Sequence, residues 1–511
     1  MAIIRLVEAS PGAPVTYALQ NPATLEPIGR FEAADAATVR AAVVRARQAQ
    51  QIWAQLSYAQ RAARLDGIKR RLVACSDQVV ATIRSETGKA EMEALAEVIA
   101  GCDALQYYGK HAARLLRDVT QRPHLFYPMK KIVKTYHPRG VAGIITPWNF
   151  PLATAFVPAA QALMAGNAVL VKPSEVAPFA ATWLEKLAVE AGLPEGLVQV
   201  LLGDGSTGAA LIGGGVDKVH FTGSVRTGRL VGESCGRQLI PCTLELGGKD
   251  PAIVGADADL ERAVQGVLNS ALFNTGQACA STERVYVVEA IYDRFVAGLV
   301  NAVKALRQNE SGDTDVSCMI WDRQLDIVER QLEDAVARGA RVLTGGRRQP
   351  GRAGLFLEPT VLVDVDHSMD VMRDETFGPV LPVMKVRDVE EAVRLANDSL
   401  YGLSASVWVG DSRSGLEIAK RLHSGGCAVN EFGGCVYGAH EGSFGGRKDS
   451  GIGYVNGELG LRSFCQVQHV LVHRFGPRKE NTWFPYHAAG IRTMKTFMKV
   501  YFTTAIGRWL S

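Results

Sequence analysis

Between about residues 141 and 246, short apolar segments alternate with Ala- and Leu-rich stretches, and this rhythm constrains the fold more than any other feature of the chain. Val-Ala-Gly-Ile-Ile (141–145), Ala-Val-Leu-Val (168–171), Val-Gln-Val-Leu-Leu (198–202), Val-His-Phe (219–221) and Cys-Thr-Leu-Glu-Leu (242–246) read as buried strands, separated by helical stretches such as 177–191 and 225–235. Strands alternating with helices build a parallel, doubly wound α/β sheet, whose ligand lies at the carboxyl ends of the strands. Residues 36–118 read as long helices. A second alternating stretch runs to about 440, with strands at 284–288 and 381–386 and a turn at Gly345-Gly346. At 511 residues the chain exceeds one ordinary core, so two α/β domains are expected.

Composition narrows the class: 47% apolar and 21% charged residues fit a soluble globular enzyme. The start, Met-Ala-Ile-Ile-Arg-Leu-Val-Glu, lacks the pattern of an export signal, and no run of 18 apolar residues marks a membrane span. Nine cysteines, at 75, 102, 235, 242, 279, 318, 427, 435 and 465, are scattered and show no C-x-x-C spacing. Such usage points to reduced thiols in a cytoplasmic protein, with neither a disulfide framework nor a metal site.

Glu245 and Cys279 stand 34 residues apart in the small-residue settings Leu-Glu-Leu-Gly-Gly-Lys (244–249) and Gly-Gln-Ala-Cys-Ala (276–280). They offer a base and a nucleophile, the two groups that form and then hydrolyse a thioester. Thr-Pro-Trp-Asn-Phe-Pro-Leu (146–152) adds the side-chain amide of Asn149, a donor for an oxyanion. The other eight cysteines, and His220 in its apolar strand, read as packed core residues.

Together with Val-Lys-Pro-Ser-Glu (171–175), Phe-Thr-Gly-Ser-Val-Arg-Thr-Gly (221–228), Glu-Thr-Phe-Gly-Pro-Val (375–380) and Ser-Phe-Gly-Gly-Arg-Lys-Asp-Ser-Gly (443–451), these motifs resemble the aldehyde dehydrogenase superfamily over roughly residues 20–470, in the family's own order. The resemblance implies a Rossmann-like parallel-sheet cofactor domain at 1–118 and 140–246 and an α/β catalytic domain at 247–450. It also implies a small β oligomerisation excursion at 119–139 and 463–474, ahead of a basic amphipathic tail at 475–511. It assigns Cys279 as nucleophile, Glu245 as hydrolytic base and Asn149, with the Cys279 N–H, as oxyanion donors.

For the cofactor, the resemblance points to Ile145, Thr146, Trp148, Lys172, Glu175, Gly205, Gly223, Ser224, Gly228, Leu246, Glu375 and Phe377. Gly223-Ser-Val-Arg-Thr-Gly228 departs from the G-x-G-x-x-G fingerprint, yet it places Ser224 and backbone amides at a helix start, where a pyrophosphate is favoured. Glu175 beside a ribose would repel a 2′-phosphate, so NAD is expected over NADP, with Lys172 offsetting part of that preference.

Phe150, Ala153, Thr154, Val157, Phe273, Ala278, Ala280, Val436 and Phe444 correspond to the family's substrate tunnel. None is charged and none forms a cage for a quaternary ammonium, so medium-to-large aliphatic or aromatic aldehydes are expected. The competing functions are a CoA-acylating relative, a thiol hydrolase and a non-catalytic protein of the same fold. Intact Glu245 argues for water as the acyl acceptor, no histidine partner for a hydrolase is evident, and the retained constellation argues against silence.

Segments 131–136 and 467–473 alternate like exposed strands, and pairing with another subunit in a homodimer or tetramer is expected. No nucleic-acid partner is expected. The tail from 474 carries seven cations against Glu480, with Ile491, Met494, Met498, Tyr501, Ala505 and Trp509 at three- and four-residue steps and Arg508 inside that arc. Packing on protein is its first reading, and contact with an anionic membrane surface the second.

Overall fold

A computed structural model describes residues 3–7, 15–121, 123, 130–309, 313–480, 482–503 and 505. Two compact units make up the chain: Met1–Ala112 with Pro138–Phe464, and Ala113–His137 with Cys465–Ser511.

In the larger unit, strands Val198–Val200, Ala168–Lys172, Val141–Ile145, Lys218–Thr222 and Cys242–Glu245 lie side by side in that order, all parallel. The order reverses between Val141–Ile145 and Lys218–Thr222, and such a switch point opens a crevice at the carboxyl ends of the strands. Helices cover both faces of a parallel sheet, so its central strands are buried throughout and read as unbroken apolar runs. The 198–202 run is longer than its strand: pairing stops at Val200, although the Leu201 N–H still donates to the Val171 carbonyl at 2.8 Å. His220 is a buried strand residue stacked on Phe464, as its apolar setting predicts. A two-residue antiparallel strand, Gly451–Ile452, pairs Gly451 with Glu245 and is too short to be read from sequence.

The long helices of 36–118 start on local signals. The Asp35 carboxylate accepts the Thr38 N–H at 2.8 Å to begin Ala36–Ala54, and Ser57 and Gln60 cap Tyr58–Ala74 reciprocally. The indole N–H of Trp53 donates to the Leu163 carbonyl at 2.8 Å, tying the first helix to Ala153–Met164, every residue of which is buried.

The second sheet orders its strands Arg341–Thr344, Thr360–Val363, Val380–Val386, Thr282–Val288, Asp250–Val254, Ser406–Trp408 and Ala428–Val429. Only Arg341–Thr344 is antiparallel. Successive residues of its central strand feed opposite cores: Val285 and Val287 pack with Phe295, Leu299 and Trp408, while Tyr286 and Val288 pack with Leu325, Val328 and Val407. A small antiparallel sheet of Ile4–Val7, Thr16–Gln20 and Pro27–Glu32, absent from the sequence reading, completes this unit.

In the smaller unit, Lys130–Pro138 lies between Cys465–His473 and Val119–Gln121. This corrects one expectation. The 131–136 segment is part of a central strand, paired at Ile132–Lys134 with Val119–Gln121 and flanked on its other side by Cys465–His473, so among the described residues the sheet's outer strands are Val119–Gln121 and the largely exposed Cys465–His473. Helix Ala488–Thr503 forms the middle of the tail, whereas Arg508 and Trp509 lie outside the described residues. Among the described residues no helix is long and apolar enough to cross a membrane, and no group of His, Cys, Asp and Glu could hold a metal ion.

Candidate active site

Cys279 follows helix Leu260–Leu272 through a turn in which Asn274, Thr275 and Gly276 all take positive φ, at 54°, 59° and 70°. Two consecutive non-glycine residues in the left-handed region cost on the order of 1 kcal/mol or more each, so surrounding contacts must hold them there. They do. The Glu93 carboxylate accepts the Asn274 N–H at 2.6 Å, and the Thr275 hydroxyl accepts the Ser317 N–H at 3.2 Å. The Gln277 amide donates to the Asn274 carbonyl at 3.0 Å and accepts the Ile320 N–H at 2.8 Å. At the third position glycine is required for space as well, since a Cβ on Gly276 would lie 2.2 Å from the Gly378 carbonyl oxygen. The chain then reverses so that the Ser281 N–H donates to the Ala278 carbonyl at 3.0 Å, with Cys279 half-buried within this turn.

Asn149 is buried, and its amide donates to the Gln277 carbonyl at 2.9 Å, which leaves one amide hydrogen for a ligand. Its backbone carbonyl accepts from Lys89 Nζ at 2.7 Å and from the Asn274 amide at 3.0 Å. Lys89 in turn pairs with Glu97 at 2.6 Å, both side chains being 1% exposed. Glu97 also accepts the N–H groups of Leu152 and Ala153 at 2.9 and 3.1 Å, capping the helix that follows Asn149. Sequence reasoning missed Lys89, Glu93 and Glu97. The available signal was the spacing of Glu93 and Glu97, which puts two acids on the same helical face as the buried Ala94 and Val98.

Glu245 ends the last parallel strand of the first sheet. Both of its carboxylate oxygens are buried without a hydrogen-bond partner among the described residues, and burial raises its pKa well above the usual carboxyl range. Burial first, then the carboxylates of Asp250, Glu245 and Glu375, pushes the Cys279 thiol up to about 12. The nucleophile therefore rests as the thiol at neutral pH, and the base is shifted toward its neutral form. Tyr437, which the sequence reading passed over in favour of its neighbour Val436, is held neutral by burial and by the proximity of Cys279 and Glu245.

The residues assigned to the cofactor gather around the switch point of the first sheet. Ile145 pairs with Lys172, and the Thr146 N–H donates to the Lys172 carbonyl at 3.0 Å, leaving a buried, unpartnered Thr146 hydroxyl at the crevice. Lys172 contacts Glu175 at 3.3 Å. Ser224 caps helix Val225–Gln238 by accepting the Thr227 N–H at 3.3 Å, so the free amides of that helix start lie after Gly223, and Leu246 lies against Gly228. A Cβ on Gly205 would meet nothing within 4 Å; close packing falls instead on Gly203, where a Cβ would lie 2.0 Å from the Thr207 hydroxyl.

On the catalytic side, Glu375 accepts the Gly248 N–H at 3.0 Å, and a Cβ on Gly247 would lie 2.4 Å from its carboxylate. Only glycine lets the Glu375 carboxyl cross that backbone, and burial raises its pKa. Phe377 takes φ 52° and packs edge-on against Trp148 at 5.4 Å. Glu283, also absent from the sequence reading, fixes this loop by accepting the Thr376 and Phe377 N–H groups at 2.7 and 2.8 Å while pairing with Lys249 at 2.7 Å. An unpartnered hydroxyl, an open glycine and free helix-start amides at the carboxyl ends of parallel strands fit a dinucleotide.

The sequence model of the Aldehyde dehydrogenase family matches residues 10–470. A 4,4'-diapolycopene aldehyde oxidase of Methylomonas sp is 40% identical over 487 residues, 94% of this chain and 91% of that protein. A putative succinate-semialdehyde dehydrogenase [NADP(+)] of Mycolicibacterium smegmatis is 38% identical over 453 residues, 88% of this chain and 86% of that one. Among solved structures, the putative aldehyde dehydrogenase PutA from Anabaena variabilis superposes with a TM-score of 0.87 at 35% identity, covering 92% of this chain and all of that one. A Mycobacterium tuberculosis aldehyde dehydrogenase complexed with NAD+ gives 0.86 at 34% identity, covering 90% and 96%. The chain belongs to the aldehyde dehydrogenase family. It is therefore an oxidoreductase that turns aldehydes into acids with a nicotinamide dinucleotide.

In this aldehyde dehydrogenase, Phe150 and Phe273 stack at 5.9 Å, and Lys89 Nζ lies 4.4 Å from the Phe150 ring centre. Phe150, Phe273, Ala278, Ala280 and Val436 retain accessible surface. Val157 and Phe444 do not: they are enclosed, with Phe444 edge-on to Tyr437 at 5.4 Å, so they support the wall from behind, contrary to the expectation that they line it. Ala153 and Thr154 are nearly enclosed too, the Thr154 hydroxyl being bonded to the Phe150 carbonyl at 2.7 Å.

Lys89→Met leaves the Glu97 carboxylate buried without its cation, and a loss of about 3–5 kcal/mol is expected in denaturant unfolding. The double change Lys89→Met/Glu97→Gln should recover part of that loss, and equal losses in both variants would show that the pair is not what stabilises this region. Glu245 supplies a pH test. A carboxyl raised by folding keeps its contribution at acid pH and loses it as pH rises through the folded-state pKa. The Tm of Glu245→Gln relative to the unaltered protein should thus climb as pH rises beyond the usual carboxyl range. A difference independent of pH would mean that Glu245 is not buried in its neutral form.

Proposed function

We propose that Cys279, its thiol proton given up to solvent, adds as the thiolate to the carbonyl carbon of a medium-to-large uncharged aldehyde. The resulting oxyanion takes the free amide hydrogen of Asn149 and the backbone N–H of Cys279, donors aimed at charge that develops only in the reaction. When bound, the nicotinamide dinucleotide supplies the hydride acceptor, and the carbon left on Cys279 is a thioester. Glu245, once its own proton has left for solvent, takes a proton from water as the water oxygen adds to the thioester carbon; the C–S bond breaks, the acid departs and the Cys279 thiolate takes up a proton. Written in full, aldehyde, NAD+ and water give acid, NADH and a proton. Because burial raises the Glu245 pKa, the hydrolytic step becomes faster as pH rises.

For the substrate class, the carrying observation is the Phe150–Phe273 stack, with Ala278, Ala280 and Val436 the other accessible residues assigned to the tunnel and none of the assigned residues charged. The Lys89 ammonium, 4.4 Å from the Phe150 ring centre, is already committed to Glu97 and to the Asn149 carbonyl, so it offers no partner to a substrate carboxylate. The relatives' names point both ways, to a diapolycopene aldehyde and to succinate semialdehyde, and the lining favours the former kind. The Lys172–Glu175 pair supports NAD over NADP. The open edge of Cys465–His473 supports a homo-oligomer, and nine free thiols fit a reducing cytoplasm.

In a panel graded by chain length and charge, kcat/KM should rise from short to long apolar aldehydes and fall for succinate semialdehyde, with Cys279→Ala inactive on all of them yet still binding NAD. Preference for the short anionic substrate would overturn the substrate class, and turnover by Cys279→Ala the mechanism. Glu175→Thr removes the charge beside the ribose position, so the NADP to NAD ratio of kcat/KM should increase. An unchanged ratio would place that carboxylate away from the ribose.

A further inference from the structure

Helix Ala488–Thr503 buries none of its 16 residues. Ile491, Met494 and Met498 recur at helical spacing, and all three are exposed. They line one groove with Tyr486 and His487 from the segment ahead of the helix, where Trp483 and Phe484 are also exposed. Arg492, Lys495 and Lys499 run along one flank of that apolar face, and the helix contains no acid. Glu480, the single acid of the tail, lies 3.5 Å from Lys130.

We propose that this segment docks the enzyme on an anionic lipid bilayer. The helix lies in the plane of the surface with Ile491, Met494 and Met498 among the outer acyl carbons. An apolar arc beside a wholly cationic flank is what such a surface selects: the apolar side chains enter the acyl boundary while lysine stems lie along it and keep their ammonium groups among lipid phosphates. Trp483 and Tyr486 present amphipathic rings suited to headgroup depth. At about 1.5 Å per residue the helix is about 24 Å long, short of the ~30 Å a spanning segment needs. A two-fold contact with a second copy through this face would set three cations of one helix against three of the other with no carboxylate between them, which disfavours that occupant. The consequence for catalysis is access to aldehydes that partition into membranes.

Co-sedimentation of the full chain with phosphatidylcholine vesicles, with and without phosphatidylglycerol, tests the proposal. The protein should pellet with the anionic vesicles and stay in solution with the neutral ones. Each single change of Arg492, Lys495 or Lys499 to Gln should lower partitioning roughly fivefold, the effect of one cation at an anionic surface. Ile491→Ser/Met494→Ser/Met498→Ser should abolish binding with unchanged oxidation of a small water-soluble aldehyde and unchanged mass by light scattering; both readouts also report folding. Equal pelleting with both kinds of vesicle, or none with either, would overturn the proposal. A fall in mass of the triple variant would overturn it too, by making the face a subunit contact.

Discussion

One buried carboxylate holds the reactive loop in a shape it would not otherwise keep. Glu93 accepts the N–H of Asn274 at the first of three left-handed residues, and the cysteine lies five residues further on. Without that acceptor the Asn274 N–H would be buried and unpaired, and the strain of the turn would be uncompensated. The same turn carries the Asn274 amide to the Asn149 carbonyl, so nucleophile loop and oxyanion donor are positioned by one network. Lys89 and Glu97 extend it to the helix after Asn149.

The two sheets of the larger unit meet at this network from opposite directions. Glu245 and the cofactor residues stand at carboxyl ends of the first sheet, whereas Lys249, Cys279 and Glu375 precede strands of the second and so stand at its amino ends. The carboxyls of Glu245, Asp250 and Glu375 are desolvated here, and the Cys279 thiol lies in a half-buried turn. Desolvation raises the pKa of each of these groups and so favours their neutral forms. In the proposed reaction this neutrality has a chemical use: a neutral carboxyl does not repel the electrons of the attacking sulfur, and it becomes a base only once its proton has left.

Much of this was legible in the sequence because it is local. Fully buried parallel strands print unbroken apolar runs, and Glu245, Cys279 and Asn149 stand in short, distinctive settings. The supporting groups were not legible, because their partners are distant: Glu93 and Asn274 are 181 residues apart, and Lys89 and Asn149 are 60 apart. Read alone, Lys89, Glu93 and Glu97 look like ordinary helix residues. The enclosed positions of Val157 and Phe444 were misjudged for a related reason, since matching a tunnel position by motif says nothing of which neighbour covers it. The strand at 131–136 had the alternation of an exposed edge, yet its own chain supplies both neighbours, a fact of topology that periodicity does not carry.

The central claim is a covalent acyl group on Cys279 whose removal depends on the Glu245 carboxyl. Its most direct measurement is intact-protein and peptide mass spectrometry of Glu245→Gln, quenched in acid after mixing with NAD and a long apolar aldehyde. The expected result is one acyl adduct per subunit, on the peptide carrying Cys279, absent when NAD is withheld. Full turnover with Cys279 unmodified, or an adduct on a different residue, would contradict it.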